Sequence, residues 1–413
     1  MSKDVCAICE QLNQYVDKNN CSYSHYSSIL LHKKSKYLDK FIENKPFPPF
    51  EVEIQMSSHC DLFCKWCIGG ELQEKKRVLK LGNRIKGPLV DKIVDDIINL
   101  KIDGLGIETV KFSGFIGEPL LVKPETLRAI KLLSGAGKKV GLFTNGVLMS
   151  DDVTMHTLLG IDYVHISLDA GRSSFFWLKE SSMPQAVYSE KKYELIIDNI
   201  ALLNKLRIEK DSRLKINIGY VIVPGNHDHI YETGVDVKNA GADSIRFKCD
   251  IGGRFALKDI KMRDIAYEQI DKLRNDAKNS SFDVNVIHSK KDIEDDNFNK
   301  WKACDHVKGC FYHNFMGTIG SDGNLYFCDH NTMPSAVHLG SIVDEQSFEQ
   351  VWMSERRKYL TGGLRYLCHS DVCPPFGNSV NNFLEDIDNF REKYGAALVL
   401  EAIDSLRKKY PYI

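Results

Sequence analysis

Between residues 50 and 250 the chain alternates two kinds of segment, each pair recurring about every 25 to 30 residues. Short runs with a period of two read as strands: "FEVEIQM", "ETVKFSG", "KKVGLFTNG", "DYVHISLD", "LKINIGYVIV" and "DSIRFKCD". Longer runs with apolar residues three and four apart read as helices, among them "LVDKIVDDIINLKIDG", "PETLRAIKLLSGAG", "KKYELIIDNIALLNKL" and "GVDVKNAG". A strand can reach a parallel neighbour only through a crossover, so this rhythm demands a parallel sheet with helices packed on it. Six strands are too few for a complete eight-stranded barrel. The predicted fold class is therefore α/β, a partial (β/α)6 TIM-like barrel, with ligands expected at the C-terminal ends of its strands.

After about residue 295 the character changes. A helix is predicted over 262–281 and "FDVNVI" is a further strand candidate. Gly, Cys and His then dominate, and "MGTIGSDGNLYFCDH" predicts a hairpin turning at Asp322-Gly323. "SFEQVWMSERRKYL" and "NNFLEDIDNFREKYGAALVLEAIDSLRKKY" are late helices. The expected division is an N-terminal extension at 1–48, the barrel at 49–290, a small α+β domain at 291–380 and a C-terminal helical segment at 381–413.

The 413 residues are 43% apolar and 27% charged, with a formal net charge of -1. That balance fits a packed globular chain and does not point to nucleic acid. No apolar stretch approaches the roughly 20 residues that span a bilayer. The first residues lack an apolar signal core, so the expectation is a cytoplasmic protein with neither membrane nor nucleic acid as partner.

The 12 cysteines sit in tight local groups, which favours metal binding over a disulfide framework. "SSHCDLFCKWCIGG" sets Cys60, Cys64 and Cys67 in a C-x3-C-x2-C loop just after the first strand. A zinc knuckle would take a fourth ligand nearby, and His59 offers poor chelate spacing. Three thiolates on a four-iron cluster leave one iron open to a substrate or cofactor.

This spacing, in this βα context, resembles the radical S-adenosylmethionine (SAM) superfamily. The resemblance implies a [4Fe-4S] cluster with an open iron, SAM as cofactor, and a 5'-deoxyadenosyl radical that takes a hydrogen atom from the substrate. A flavodoxin or ferredoxin-type reductant is implied too. By the same resemblance Trp66 packs near adenine. Gly117, Glu118 and Pro119 receive the methionine amino group, although Ile116 stands where the family usually has a first glycine. Ser167 and Asp169, on one strand face with His165, contact the ribose. Asn217 and Gly219 share a face of the fifth strand near the adenine. As single residues they also have plainer readings: Trp66 as core, Gly117 as a turn residue, Asp169 as a helix cap.

Cys310, Gly323, Cys328, Cys368 and Cys373 form C-x12-G-x4-C followed by C-x4-C, which resembles the SPASM and twitch auxiliary-cluster domains. That implies a second [4Fe-4S] cluster on Cys310, Cys328, Cys368 and Cys373; zinc is the alternative, and Cys304 is a spare thiol or a substitute ligand. Cys249, ending the sixth strand, is either a buried thiol or a hydrogen-atom donor of the kind used by epimerases that resemble this chain. Arg246 and Lys248 lie on the other face of that strand, facing the SAM carboxylate or an anionic substrate group. Cys6, Cys9, Cys21 and His25 spell C-x2-C-x11-C-x3-H, a candidate zinc knuckle in a stretch short of apolar residues.

No precursor-peptide recognition domain is evident before the first strand, which favours a free small-molecule substrate. The expected reaction is dehydrogenation or epimerisation of a sugar, aminoglycoside or nucleoside. The alternatives are maturation of a ribosomal peptide by epimerisation or crosslinking, oxidation of a protein residue, and a non-catalytic metal-stabilised scaffold.

Overall fold

The computed structural model describes residues 2–16, 24–67, 83–114, 117–182, 187–250, 255–288, 290, 309–329, 332, 337–343, 346–362 and 377–410. The six expected strands form as β1 (Glu51–Gln55), β2 (Thr109–Ser113), β3 (Lys139–Thr144), β4 (Tyr163–Ser167), β5 (Lys215–Ile222) and β6 (Ser244–Cys249). "FDVNVI" contributes a seventh, β7 (Asp283–Val286). All seven pair in parallel in chain order. Helices Pro88–Asn99, Lys123–Gly135, Asp152–Leu158, Lys191–Glu209, Ile230–Asn239 and Ile260–Ala277 follow β1 to β6 in turn.

Alternation along the strands separates two faces. Val52, Ile54, Val110, Phe112, Val140, Leu142, Val164, Ile166, Ile216, Ile218, Ile245 and Phe247 are buried in the core beneath the helices. The opposite face is polar, and it is the concave side of the partial barrel.

The C-terminal α+β region does not stand apart from this sheet. After the helix Ile260–Ala277 and β7, the chain returns as β8 (Met316–Ile319), which pairs in parallel with β1 on its open side. The predicted hairpin follows: β8 turns at Asp322-Gly323 into antiparallel β9 (Asn324–Tyr326), and β10 (Gly340–Ser341) pairs beyond it. Gly323 has φ +78°, a conformation that costs glycine little. The result is one ten-stranded sheet in the order β10-β9-β8-β1-β2-β3-β4-β5-β6-β7, open at both edges. The late helical run is divided: Phe348–Trp352 and Glu355–Gly362, then Gly377–Tyr394 and Ala396–Lys409, with Gly395 at φ +81° between the last two. Phe348 N donates to Asp96 Oδ2 at 2.8 Å, tying this region to the helix after β1.

The N-terminal stretch, expected as a polar extension, is helical where described: Lys3–Asn13, Ser24–Leu31 and Ser35–Ile42. Val5, Ile8 and Leu12 pack with Val399, Ala402, Ile403 and Leu406 of the last helix, and with Phe315 beside β8. The two ends of the chain therefore share a second apolar core, and helix Lys3–Asn13 has a source of stability other than metal. Among the described residues no helix is long and apolar enough to cross a membrane.

Candidate active site

The concave face carries an unusual density of charge. Glu51 and Glu53 of β1 flank Lys111 of β2, with Nζ to carboxylate distances of 2.8 and 3.3 Å. Burial opposes the Lys111 charge, but the two carboxylates prevail and hold its pKa well above the ordinary lysine value. Burial pushes the Glu53 carboxyl up. Farther round lie Tyr163, His165 and Ser167 of β4, Asn217 of β5 and Arg246 and Lys248 of β6. Burial, then the cations of Arg246 and Lys248, drive the pKa of His165 well below its usual value, so it is a neutral imidazole.

The cysteine loop leaves the end of β1 across the strand tips. Its backbone is pinned to a π-helical turn at Phe176–Glu180: Phe63 N donates to Lys179 O at 2.7 Å, and Lys65 N to Leu178 O at 3.0 Å. Cys60, Cys64 and Cys67 are all half-buried on this short loop. Leu62 N donates to Cys60 Sγ at 3.4 Å, and Asn145 Nδ2 donates to Asp61 Oδ1 at 2.6 Å. Burial pushes the Cys64 thiol up to about 12, against the pull of the Lys179 cation, and raises Cys60 as well. Metal loading must therefore displace protons from this loop.

Gly117 lies against the same loop. A methyl group placed there would sit 2.0 Å from the Ser57 carbonyl oxygen, a backbone atom that cannot swing aside. The approach lets Glu118 N donate to His59 O at 2.7 Å. The Glu118 carboxylate turns inward and accepts from Leu120 N at 3.0 Å, Thr144 Oγ1 at 2.8 Å and Asn145 N at 2.8 Å. Pro119 begins a buried 3-10 turn. Gly117→Ala should displace this segment and destabilise the metal-free fold by about 1 to 3 kcal/mol, measured by urea denaturation.

Burial raises the Glu118 carboxyl to about 7, although the backbone donors Asn145 and Leu120 pull it down. Between the ordinary glutamate value and about 7, the unfolded chain has lost a proton that the folded chain keeps. Stability of the metal-free protein should fall as pH rises through that window, by about 3 kcal/mol, then level off. Glu118→Gln should flatten that slope in urea titrations from pH 5 to 8.

Asp169 sits just past β4 with φ +51°, a strained position that Asp tolerates better than most residues. Its Oδ1 accepts from Val221 N at 2.8 Å and its carbonyl from Asn226 Nδ2 at 2.9 Å. Lys179, buried, reaches Ser167 O at 2.5 Å, Leu168 O at 3.1 Å and Asp169 Oδ2 at 3.4 Å. Asn217 Oδ1 accepts from Ser244 Oγ at 2.8 Å. At Gly219 a methyl group would lie 2.5 Å from His165 Nε2, so its smallness makes room for the imidazole ring. Trp66 is half-buried against the main core.

Of the two readings of Cys249, its place in the sheet favours the buried thiol. It pairs with Ile222, on the helix side of the sheet, while Arg246 pairs with Gly219 and Lys248 with Val221 on the concave side. Cys249 is buried, its thiol 3.8 Å from Tyr267 Oη of the helix Ile260–Ala277, and burial raises it to about 11. A hydrogen-atom donor must face the substrate, and this thiol faces the core.

Cys310 and Cys328 bracket the β8–β9 hairpin, half-buried against the second core. Continuing the hairpin register sets Cys328 level with Met316. Cys368, Cys373 and Cys304 lie outside the described residues. Cys6 is exposed on helix Lys3–Asn13, and Cys9 Sγ donates to Ala402 O at 3.4 Å. Cys21 and the His25 side chain lie outside the described residues. Among the described residues no group of three or more His, Cys, Asp or Glu side chains is gathered as for a metal ion.

Sequence reasoning missed Lys179 and Asn145. Asn145 had a signal, the Asn-Gly turn closing β3. Lys179 had none, because a lysine in an apolar run reads as solvent-facing.

A model of the radical SAM superfamily matches residues 54–234, and a model of the SPASM iron–sulfur cluster-binding domain matches 310–374. Molybdenum cofactor biosynthesis protein 1 of Dictyostelium discoideum is 24% identical over 312 residues, 72% of this chain and 41% of that protein. GTP 3',8-cyclase of Streptomyces coelicolor is 22% identical over 180 residues, 43% of this chain and 46% of that one. The chain thus spans less than half the length of these curated relatives. Among solved structures, Streptococcus suis SuiB bound to SAM superposes with a TM-score of 0.55 at 17% identity, covering 81% of this chain and 72% of SuiB. SuiB bound to the precursor peptide SuiA gives 0.51 at 18% identity, over 83% and 76%. The protein anSMEcpe with SAM and the Cp18Cys peptide gives 0.52 at 17% identity, over 87% of this chain and all of that one.

These likenesses overturn the expected small-molecule substrate: the proteins sharing this fold over most of the chain were solved with peptides, SuiA in one and Cp18Cys or Kp18Cys in the other. SAM and iron–sulfur clusters are the cofactors typical of proteins with these two domains. Residues 54–234 thus belong to the radical SAM superfamily and residues 310–374 to the SPASM-type iron–sulfur cluster-binding domain, carried on a partial α/β barrel and the C-terminal α+β region that follows it.

Proposed function

We propose that this radical SAM enzyme modifies a peptide, by epimerisation or crosslinking. The observation that carries the reading is that its fold matches SuiB and anSMEcpe across barrel and C-terminal region together, and both were solved with peptides.

Cys60, Cys64 and Cys67 are suited to a [4Fe-4S] cluster with an open iron. They are three soft donors on one pinned loop, beside a buried cation that offsets thiolate charge. SAM would lie over the strand tips, between Trp66, the Gly117–Pro119 segment, Ser167, Asp169 and Asn217. When bound, cluster and SAM together supply the 5'-deoxyadenosyl radical that takes a hydrogen atom from the substrate.

The chain's own residues position these groups. Gly117 brings its segment against the cysteine loop. Lys179 locks the Ser167–Asp169 turn, and Asp169 and Asn226 bind β4 to β5. A second [4Fe-4S] cluster is assigned to Cys310, Cys328, Cys368 and Cys373. With four thiolates it has no open iron, which suits electron transfer or structural support.

The test is anaerobic reconstitution with SAM and dithionite in D2O, against a panel of synthetic peptides and a panel of nucleosides and sugars. Peptide-dependent 5'-deoxyadenosine is expected, with one deuterium gained for epimerisation or two hydrogens lost for crosslinking. Turnover of a nucleoside or sugar with every peptide inert would overturn the proposal.

A further inference from the structure

Arg246 and Lys248 stand apart from the other charges of the concave face. Lys111 is matched by Glu51 and Glu53, and Lys179 by Asp169. Arg246 and Lys248 make no ion pair or hydrogen bond with any described residue. Their neighbours across the sheet are Gly219 and Val221 on β5, and Asn285 beside Arg246 on β7, none of them charged. His165, over Gly219, is neutral. Asp169 is the anion that acts most strongly on Lys248, and its two oxygens are already taken by Val221 N and Lys179. Asp250 and Asp329 also favour the Lys248 charge, less than Asp169 does, and neither forms an ion pair with it.

Both side chains are surrounded by protein yet open to solvent from the concave side. Burial lowers the pKa of each, and in Lys248 the Arg246 charge adds to the effect while Asp169 opposes it. Two like charges two residues apart on one strand, Lys248 half-buried and Arg246 reaching solvent, with no counter-ion bonded to either among the described residues, form a site that lacks an anion. A carboxylate completes it: the guanidinium fork takes both oxygens and the ammonium adds a third donor. Val221, opposite Lys248, is the residue whose N–H holds Asp169, so the site lies at the edge of the strand tips where SAM is assigned.

We propose that Arg246 and Lys248 form the subsite for a carboxylate of the substrate peptide, either an Asp or Glu side chain or the C-terminal carboxylate. This rests on the peptide reading above.

The test uses the reconstituted holoenzyme with SAM and a pool of N-acetylated random hexapeptides, prepared in C-terminally amidated and free-acid forms. Bound peptides are recovered by gel filtration and sequenced by mass spectrometry. The amidated pool should be enriched in Asp and Glu by at least about tenfold if a side chain is recognised; preference for the free-acid pool identifies the terminus. Arg246→Gln/Lys248→Gln should erase the enrichment. Arg246→Lys/Lys248→Arg should keep it, which separates loss of charge from loss of folding. Peptides bound by wild type with no acidic or terminal preference overturn the subsite and leave the peptide reading standing. An unchanged acid preference in the Gln variant with a tenfold loss of SAM affinity assigns the pair to SAM and overturns it too. No peptide bound at all removes the peptide reading, and the subsite with it.

Discussion

Replacing Cys60, Cys64 and Cys67 together by alanine should abolish reductive cleavage of SAM and remove one of two clusters. Reconstituted wild type should hold about eight irons per chain and the triple variant about four. The expectation is sharp because the loop is separately anchored: Phe63 and Lys65 hang on the turn at Phe176–Glu180 through backbone atoms that the substitutions leave alone. The fold should survive while the ligands are lost. A wild type with about four irons, all lost in the triple variant, would show that Cys310 and Cys328 serve a zinc or thiol structure. Iron retained alongside SAM cleavage would remove these thiols from the chemistry.

Lys179→Met should be the most damaging single change outside the cysteines. The ammonium is buried beside Cys64; burial opposes its charge, but the Cys64 thiolate, once formed, and the Asp169 carboxylate raise its pKa. Methionine fills much of the space and leaves the Asp169 carboxylate and the Ser167 and Leu168 carbonyls short of a donor. Removing one partner of a buried pair costs about 3 to 5 kcal/mol. The effect should appear in urea denaturation of the metal-free protein and again as poor iron retention, because the turn that carries Lys179 also holds the cysteine loop. Lys179→Arg should recover part of both. A loss under about 1 kcal/mol in Lys179→Met would mean that the Asp169 turn is held by Val221 and Asn226 without it.

Which elements were legible in the chain follows from how local their causes are. The period-two runs became β1 to β6, and "FDVNVI" became β7, because alternation is imposed by the pleat of the strand itself. Asp322-Gly323 predicted its hairpin because only the backbone of a short turn is involved. The C-x3-C-x2-C loop announced soft-metal chemistry from spacing alone, and its place after a first strand pointed to the superfamily.

The rest depended on partners far away in sequence. Helix Lys3–Asn13 looked polar because its apolar stripe is narrow, and what covers that stripe is the last helix of the chain. β8 could be read as a strand but not as the neighbour of β1, since pairing across more than 250 residues leaves no local trace. The alternation of β6 already set Cys249 and the pair Arg246 and Lys248 on opposite faces, but which face is core was decided by the helices packed on the sheet, and it is the Cys249 face. Lys179 and the unmatched pair on β6 acquire meaning only from the positions of other charges. Periodicity and turn chemistry are properties of neighbouring residues, whereas burial, counter-ions and the face a side chain presents are set by whichever distant segment packs against it.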